Sequence, residues 1–440
     1  MAGNGKAMAR GHAHGRGYRL SQTTGSEVRL GEDETVVSTA NTSASEELRQ
    51  KAENILRQVI EFRKGEARDW GQKIEHDGVI PEALWERMKD LGFFRLTKPE
   101  WAGGDGLPLR LYLPILEEVA HCHGSIRMMF HAHNSIWRPL GRGRQEQVRQ
   151  WLPKVASAEW LVAFALTEPD NGTGIDLHTT ARREGDKFVI DGKKHLITFA
   201  DRADVTVVIA KTDPSLGRQG LTAFLVPKGR RGMNLQPMPE MMGDKGCTHS
   251  VITFDECVVD ETEVIGEVGA GFDIALRGFL DQSRASIAQS AVGLAQEALE
   301  QTIKRVLSRK TFGKALASRQ AVQMRLAEMA TEIQAARLLC LDAAEKFDAG
   351  LDMAVAASMA KATAIRMVGS VTDSALSLFG GIGYAVGSPV ERLYRDARSL
   401  WLEEGTLEMQ NMTIAEALLQ DARQDMRESR RSAEAQGSVQ

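Results

Sequence analysis

The spacing of apolar residues along the 440-residue chain changes twice. It first follows a helical period, and residues 44–160 are predicted to form a helical domain. Within this domain Pro81 opens a short helix at its first position and Gly92 ends it. The apolar face of that helix consists of Leu84, Met88 and Leu91.

Residues 161–268 instead carry short runs of β-prone side chains. Phe188-Val189-Ile190 is followed by Asp191-Gly192 and a second β-prone stretch, which predicts a hairpin with a type I′ turn. Further β-rich runs are Val205–Ala210, Leu221–Val226 and Val251–Val259. We therefore expect an all-β unit in the middle of the chain.

The helical period returns over residues 269–420, in long segments. One apolar face consists of Ile287, Ala291, Leu294, Ala298 and Ile303. A second consists of Val322, Leu326, Met329, Ile333, Ala336 and Cys340. Helices of this length and apolar character predict a four-helix bundle. Residues 421–440 mix arginines with acids and are predicted to be a solvated tail.

Composition narrows the class of protein. The chain has 55 Lys and Arg against 59 Asp and Glu, a net charge of −4, so we expect no nucleic-acid partner. No uncharged apolar run reaches the ~18 residues that cross a bilayer, so no membrane span is expected. Four cysteines without a C-x-x-C pair fit a reducing compartment, and we predict a cytoplasmic location.

The N-terminal stretch over residues 1–43 belongs to none of these patterns. It is rich in glycine, carries several basic residues and contains no acid before Glu27. This composition predicts a disordered extension. An organelle transit peptide is the alternative, although the segment has no apolar face.

Two pairs of histidines, His121 with His123 and His131 with His133, could be taken for metal ligands. Residues two apart diverge on a helix, so neither pair can converge on one ion. We predict no metal site.

Four motifs occur in a fixed order along the chain. They are Leu166–Thr173 (LTEPDNGT), Arg309–Gly313 (RKTFG), Phe379–Tyr384 (FGGIGY), and Tyr394–Ala397 (YRDA) followed by Glu404–Thr406 (EGT). Together they resemble the signatures of the acyl-CoA dehydrogenase family, in order and spacing, over residues 45–420. The resemblance implies an α+β, mainly α fold with an N-terminal helical domain, a central β-barrel-like domain and a C-terminal four-helix bundle.

Dehydrogenation of an acyl thioester needs a base for the α-proton and an acceptor for the β-hydride. A carboxylate in a water-excluded pocket becomes more basic, because burial disfavours its charged form. The resemblance assigns the base to Glu404, the acceptor to FAD and a trans-2-enoyl-CoA to the product. Ser283 stands where some relatives place their base, and a serine cannot take that role. The alternative is that Glu403 and Glu404 form a solvated pair at a helix end.

Further site residues follow from the same resemblance. Those implied to contact FAD are Thr167, Thr173, Thr198, Thr406 and Glu408. Those implied to contact the FAD of a neighbouring subunit are Arg309, Thr311, Gln320, Gly380 and Gly381. Those implied to contact acyl-CoA are Thr173, Asp281, Arg284 and Gly405. For Asp281 and Arg284 the alternative is an ion pair within one helix, and for the threonines it is turn capping.

The resemblance also implies a role in fatty acid metabolism, electron-transfer flavoprotein as electron acceptor, and a homotetramer or homodimer. Several positions depart from the family pattern: Asn171, Gly174, Leu196, Ser377, Glu408 and Glu416. They leave acyl chain and electron acceptor open. An acyl-CoA oxidase, a dehydrogenase of carrier-protein-bound acyl groups, or a catalytically silent flavoprotein scaffold would share this fold.

Overall fold

The structure, a computed structural model, describes residues 35–170 and 176–437. Three positions discussed above, Asn171, Thr173 and Gly174, lie outside the described residues. The chain divides into two compact units, Met1–Glu47 and Leu48–Gln440, and every candidate site residue belongs to the second. No helix in the described part of the chain has the length and apolar content that crossing a membrane requires.

Six α-helices begin the described chain: α1 Thr35–Lys64, α2 Ala67–Asp77, α3 Glu82–Asp90, α4 Leu109–Val119, α5 Gly124–Ser135 and α6 Gln145–Ala156. The helix α1 begins inside the stretch that composition predicts to be disordered, and residues 1–34 lie outside the described residues. For α3 the prediction was one residue off, because Pro81 is the N-cap in an extended conformation rather than the first helical residue.

The middle of the chain forms a seven-stranded sheet. Its strands are β1 Val162–Ala165, β2 Thr180–Glu184, β3 Lys187–Thr198, β4 Val205–Lys211, β5 Leu221–Pro227, β6 Met233–Pro237 and β7 His249–Asp260. The order is β1-β4-β2-β3-β7-β6, with β5 paired to β4. Only β1 and β2 run parallel to β4, and the other pairs are antiparallel.

The hairpin predicted at Asp191-Gly192 is wrong. Both residues lie inside β3, which continues to Thr198 with a register shift against β7 between Ile190 and Gly192. Gly192 has φ +147°, and a Cβ there would overlap Thr179. The glycine therefore serves a bulge and a close backbone approach. The actual turn lies six residues earlier, between Glu184 and Lys187.

The C-terminal part is helical, as predicted. Its helices are α7 Gly271–Ala275, α8 Asp281–Ser308, α9 Gln320–Asp348, α10 Ala354–Phe379, α11 Pro389–Ser399 and α12 Leu407–Gly437. One π-helical turn joins α7 to α8, and the two-residue strands β8 Lys310–Thr311 and β9 Lys314–Ala315 join α8 to α9. The bundle consists of the four long helices α8, α9, α10 and α12.

Helices from both ends of the chain share one hydrophobic core. Tyr112 of α4 and Phe130 of α5 belong to the same cluster as Ala291 of α8 and Val368 of α10. Two further clusters lie against the sheet. The three predicted parts therefore do not pack independently, and a site can draw residues from all of them.

Candidate active site

Glu404 lies in the turn between α11 and α12. Its backbone angle φ is +53° and that of Gly405 is +94°. A left-handed conformation costs a residue with a Cβ ~1–2 kcal/mol. Two helices hold the turn in this shape. Lys361 of α10 donates hydrogen bonds to the carbonyls of Glu403 and Gly405, and Gln410 of α12 donates to that of Gly405 at 3.1 Å.

The Glu404 carboxylate is partly buried against α8. Ser283 Oγ donates a hydrogen bond to Glu404 Oε1 at 3.0 Å, and Arg284 Nε donates to the Glu404 carbonyl at 3.4 Å. Burial raises the pKa of Glu404, the Lys361 charge and the Ser283 hydrogen bond oppose that rise, and the resulting pKa is about 7. A carboxylate with this pKa can accept a proton near neutral pH.

The pKa of the neighbouring Glu403 is shifted in the opposite direction. Arg127 of α5 clasps its carboxylate through two hydrogen bonds, of 2.8 and 2.9 Å, and also reaches Asp244 at 3.2 Å. Burial raises the pKa of Glu403, but the Arg127 charge and hydrogen bonds outweigh that and hold it below its ordinary value. The solvated-pair alternative is therefore wrong. The pKa values of two adjacent carboxylates are thus shifted in opposite directions, which leaves Glu404 as the more basic of the two.

Asp281 and Arg284 form the ion pair expected of residues three apart on a helix, with 2.9 Å between Asp281 Oδ1 and Arg284 Nη1. Both side chains are buried. Arg284 also reaches the Glu404 carbonyl, so the pair borders the turn that carries the base.

The end of strand β3 provides an edge on which a flat ligand can rest. Thr198 is paired with His249 of β7, and the His249 Nδ1 atom is buried without a hydrogen-bond partner among the described residues. Two residues before Thr198, Leu196 adopts φ +57° and is 45% exposed. Burial lowers the pKa of His249, and the charge of Glu403 partly opposes this shift. An uncovered apolar side chain and a ring nitrogen without a partner among the described residues, both at this end of β3 and β7, are compatible with a bound flavin.

Comparison with known families identifies the family to which the chain belongs. Family models of the acyl-CoA dehydrogenase N-terminal, middle and C-terminal domains match residues 44–159, 163–257 and 269–419. The chain belongs to the acyl-CoA dehydrogenase family. The predicted family and its three-domain fold are thus confirmed, and the protein is an oxidoreductase that acts on acyl-CoA, of a flavoprotein family.

The matches with individual relatives cover nearly the full length of those proteins. Human mitochondrial short-chain specific acyl-CoA dehydrogenase is 34% identical over 382 residues, which cover 86% of this chain and 92% of that protein. The caffeyl-CoA reductase-Etf complex subunit CarC of Acetobacterium woodii is 35% identical over 365 residues, 80% of this chain and 96% of that subunit. The structure of butyryl-CoA dehydrogenase from Megasphaera elsdenii matches with a TM-score of 0.79 and 31% identity, covering 84% of this chain and 98% of that one.

A second group of predicted cofactor residues lies at one end of the acyl-CoA dehydrogenase bundle. Arg305 Nη2 of α8 donates to the Phe379 carbonyl of α10 at 3.4 Å, so the ends of these helices meet. The predicted residues follow these ends or begin α9: Arg309, Thr311, Gln320, Gly380 and Gly381. No hydrogen bond or ion pair of the described chain joins them to the Glu404 turn. Thr406 and Glu408 are exposed at the start of α12.

The first family motif contains a residue whose role the sequence left unassigned. Glu168 is buried and accepts hydrogen bonds from the backbone N–H of His178 at 2.6 Å and of Thr179 at 2.9 Å. Lys194 of β3 pairs with it at 2.9 Å. Glu168 therefore links the position after Thr167, which is itself partly buried, to His178, Thr179 and strand β3.

The four histidines singled out in the sequence have separate partners. They are His121 with Glu297, His123 with Glu75, His131 with Ser283, and His133 stacked on Phe94. His121, Glu297 and Glu300 place possible ligand atoms within 4.8 Å of one another. Arg63, 3.7 Å from Glu297, already supplies positive charge there.

Sequence reasoning missed three residues around Glu404: Arg127, His131 and Lys361. Arg127 and His131 lie on α5, every residue of which is buried, and Lys361 is buried on the largely apolar α10. A charged or ring-nitrogen side chain on the buried face of a helix was the available signal, since such groups are rarely buried without a partner.

Proposed function

We propose that this protein catalyses FAD-dependent α,β-dehydrogenation of an acyl-CoA thioester to the trans-2-enoyl-CoA, with Glu404 as the base. One observation carries the proposal. Glu404 is a carboxylate with a pKa of about 7, held in a left-handed turn, beside a paired carboxylate of low pKa.

Bound FAD would accept the hydride from the β-carbon. Thr167, Thr173, Thr198 and the exposed Leu196 would face the cofactor from the sheet, and Thr406 and Glu408 would border it from α12. Glu404 takes the proton from the α-carbon, and the electron pair of that C–H bond, stabilised by the thioester carbonyl, forms the α,β double bond as the hydride leaves the β-carbon. A preorganised N–H donor at the thioester oxygen typically lowers the barrier by ~3–4 kcal/mol. The Asp281–Arg284 pair, next to Gly405, is suited to steering the acyl-CoA arm.

The test is a panel of acyl-CoA thioesters that varies chain length and branching, mixed anaerobically with the FAD-loaded protein. We expect at least one thioester to bleach the flavin absorbance. Glu404→Gln should slow that bleaching by about 10²–10⁴-fold or more while FAD stays bound. Glu416→Gln, which alters an exposed carboxylate of α12, is the matched control.

Bleaching of the flavin at the wild-type rate in Glu404→Gln would show that Glu404 is not the base. If no thioester of the panel bleached the wild-type flavin, a catalytically silent flavoprotein scaffold would replace the dehydrogenase as the proposed function.

For the electron acceptor we propose electron-transfer flavoprotein, because a relative of similar length is named as a subunit of an Etf complex. Stopped-flow reoxidation of the reduced protein in air should then be slow, and added electron-transfer flavoprotein should make it fast. Fast reoxidation by oxygen alone would favour the oxidase. We further propose a role in fatty acid metabolism and a reducing, cytoplasmic location, the latter because the four cysteines are free and buried.

A further inference from the structure

A line of hydrogen bonds runs from Glu404 into helix α5. Ser283 Oγ lies 3.0 Å from Glu404 Oε1, and His131 Nε2 lies 3.1 Å from Ser283 Oγ. On the far side of the ring, Ser135 Oγ lies 3.2 Å from His131 Nδ1. Ser283, His131 and Ser135 are all buried. We call this line the relay.

The donor and acceptor roles in the relay follow from the carboxylate. An ionised carboxylate only accepts, so the Ser283 hydroxyl proton must point at Glu404. Ser283 Oγ then needs a donor, and His131 Nε2 is the group in reach. A neutral imidazole has one N–H, so Nδ1 becomes the acceptor and Ser135 donates to it. One direction of donation therefore satisfies every member.

This logic requires a neutral His131. Burial lowers the pKa of His131 to about 4, and the nearby Arg127 charge acts in the same direction. The ring therefore carries a single proton throughout the neutral pH range, and it stays fixed while Glu404 titrates.

The relay also distinguishes the two oxygens of Glu404. Oε1 accepts from Ser283, whereas no hydrogen bond in the described part of the chain reaches Oε2. We propose that His131 is a positioning residue for the reaction: through Ser283 it engages Oε1, favours the carboxylate form of Glu404 and leaves Oε2 to take the α-proton. The α C–H bond breaks and the new O–H bond forms at Oε2. Oε1 accepts from Ser283 before and after this step, so the relay need not rearrange.

This inference rests on the proposed function only for the role of Oε2. Other charged groups also face Glu404: Lys361 from α10, Arg284 from α8, Glu403 in the same turn and Arg127 from α5 behind Glu403. Within the part of the chain that the structure describes, none of these groups is hydrogen-bonded or ion-paired to Ser283 or His131, so the substitutions below leave these charges in place.

The experiment is an infrared pH titration of the FAD-loaded protein, with the Glu404 carboxyl band assigned by its loss in Glu404→Gln. Ser283→Ala removes a hydrogen bond to a charged group and should raise the pKa of Glu404 by about one unit. His131→Leu removes only the donor to Ser283 and should raise it by about half a unit. His131→Gln, whose amide can donate to Ser283, should stay close to wild type. Ser286→Ala, a buried serine one turn along α8, is the matched control.

An unchanged pKa in both Ser283→Ala and His131→Leu would overturn the proposal, as would equal shifts in His131→Leu and His131→Gln. Nitrogen-15 NMR of histidine-labelled wild type gives an independent check that needs no folded leucine variant. With the signal assigned through His131→Gln, a proton on Nε2 supports the relay and a proton on Nδ1 refutes it.

Anaerobic flavin reduction by butyryl-CoA provides the link to turnover. The pH midpoint of its rate should move upward in the same order as the infrared pKa values. If the infrared shifts occur as expected but no thioester of the panel reduces the flavin, the proposed function fails while the relay stands.

Discussion

At the scale of single residues, the site depends on the hydrogen bonds and charges that surround two neighbouring carboxylates. Arg127 donates two hydrogen bonds to the Glu403 carboxylate, so that negative charge is compensated in the interior. Glu404 receives one hydroxyl hydrogen bond and the more distant charge of Lys361. Identical side chains on consecutive residues therefore differ in proton affinity, because their partners come from different helices.

The pH dependence of turnover belongs to this scale. Glu404 must be ionised to accept a proton, and its pKa is raised to about 7. The second-order rate constant of flavin reduction should therefore fall by about tenfold per pH unit below 7 and level off above it. Stopped-flow reduction by butyryl-CoA between pH 5.5 and 9 measures this profile. A rate that stays flat down to pH 5.5 would contradict it.

At the scale of elements, glycines decide how closely helices and strands approach. Gly192 lets β3 bulge past Thr179 instead of turning back. Gly293 lies where α8 crosses α4, and a Cβ there would overlap the Glu117 carbonyl oxygen and the Ala120 side chain. Since Ser283 and Arg284 also lie on α8, this crossing helps to set where Glu404 finds its partners.

Gly293→Ala tests the crossing. The added methyl must displace backbone, so the free energy of unfolding should fall by about 1–3 kcal/mol, despite the better helix propensity of alanine. Urea denaturation followed by circular dichroism measures the loss. Gly278→Ala is the control, because its Cβ would meet the flexible Arg142 side chain at 3.3 Å and the Asp273 carbonyl oxygen at an ordinary contact distance of 3.9 Å. Equal stability of the two variants would show that the contact between α8 and α4 accommodates the added methyl group without strain.

At the scale of the whole molecule, one end of the bundle leaves large apolar side chains uncovered. Phe312 is 98% exposed, Val386 90% and Tyr384 86%. They lie in the same loops as Arg309, Thr311, Gly380 and Gly381. Exposed apolar groups gathered with candidate cofactor residues mark an association surface. We propose that a second copy of the chain covers this end and that each FAD contacts both copies.

Phe312→Ser tests the assembly. We expect wild-type protein to form a homotetramer or homodimer, and the variant to shift toward smaller species with less bound FAD. Size-exclusion chromatography with light scattering, together with the flavin-to-protein absorbance ratio, measures both. Leu216→Ser, an exposed apolar residue of the β-domain, should change neither. A monomeric wild type that holds FAD fully would refute the shared site.

The sequence by itself determined the family, the three-part order of helices, sheet and bundle, and Glu404 as the candidate base. It could do so because periodicity and motif spacing are local properties of the chain. Only the tertiary structure decided which partners surround Glu404. Arg127, His131, Ser283 and Lys361 come from three helices far apart in sequence, and no local pattern reports their convergence. The bulge at Gly192 was decided in the same way, because the strand β7 supplied a continuous pairing partner that a short hairpin signal cannot foresee.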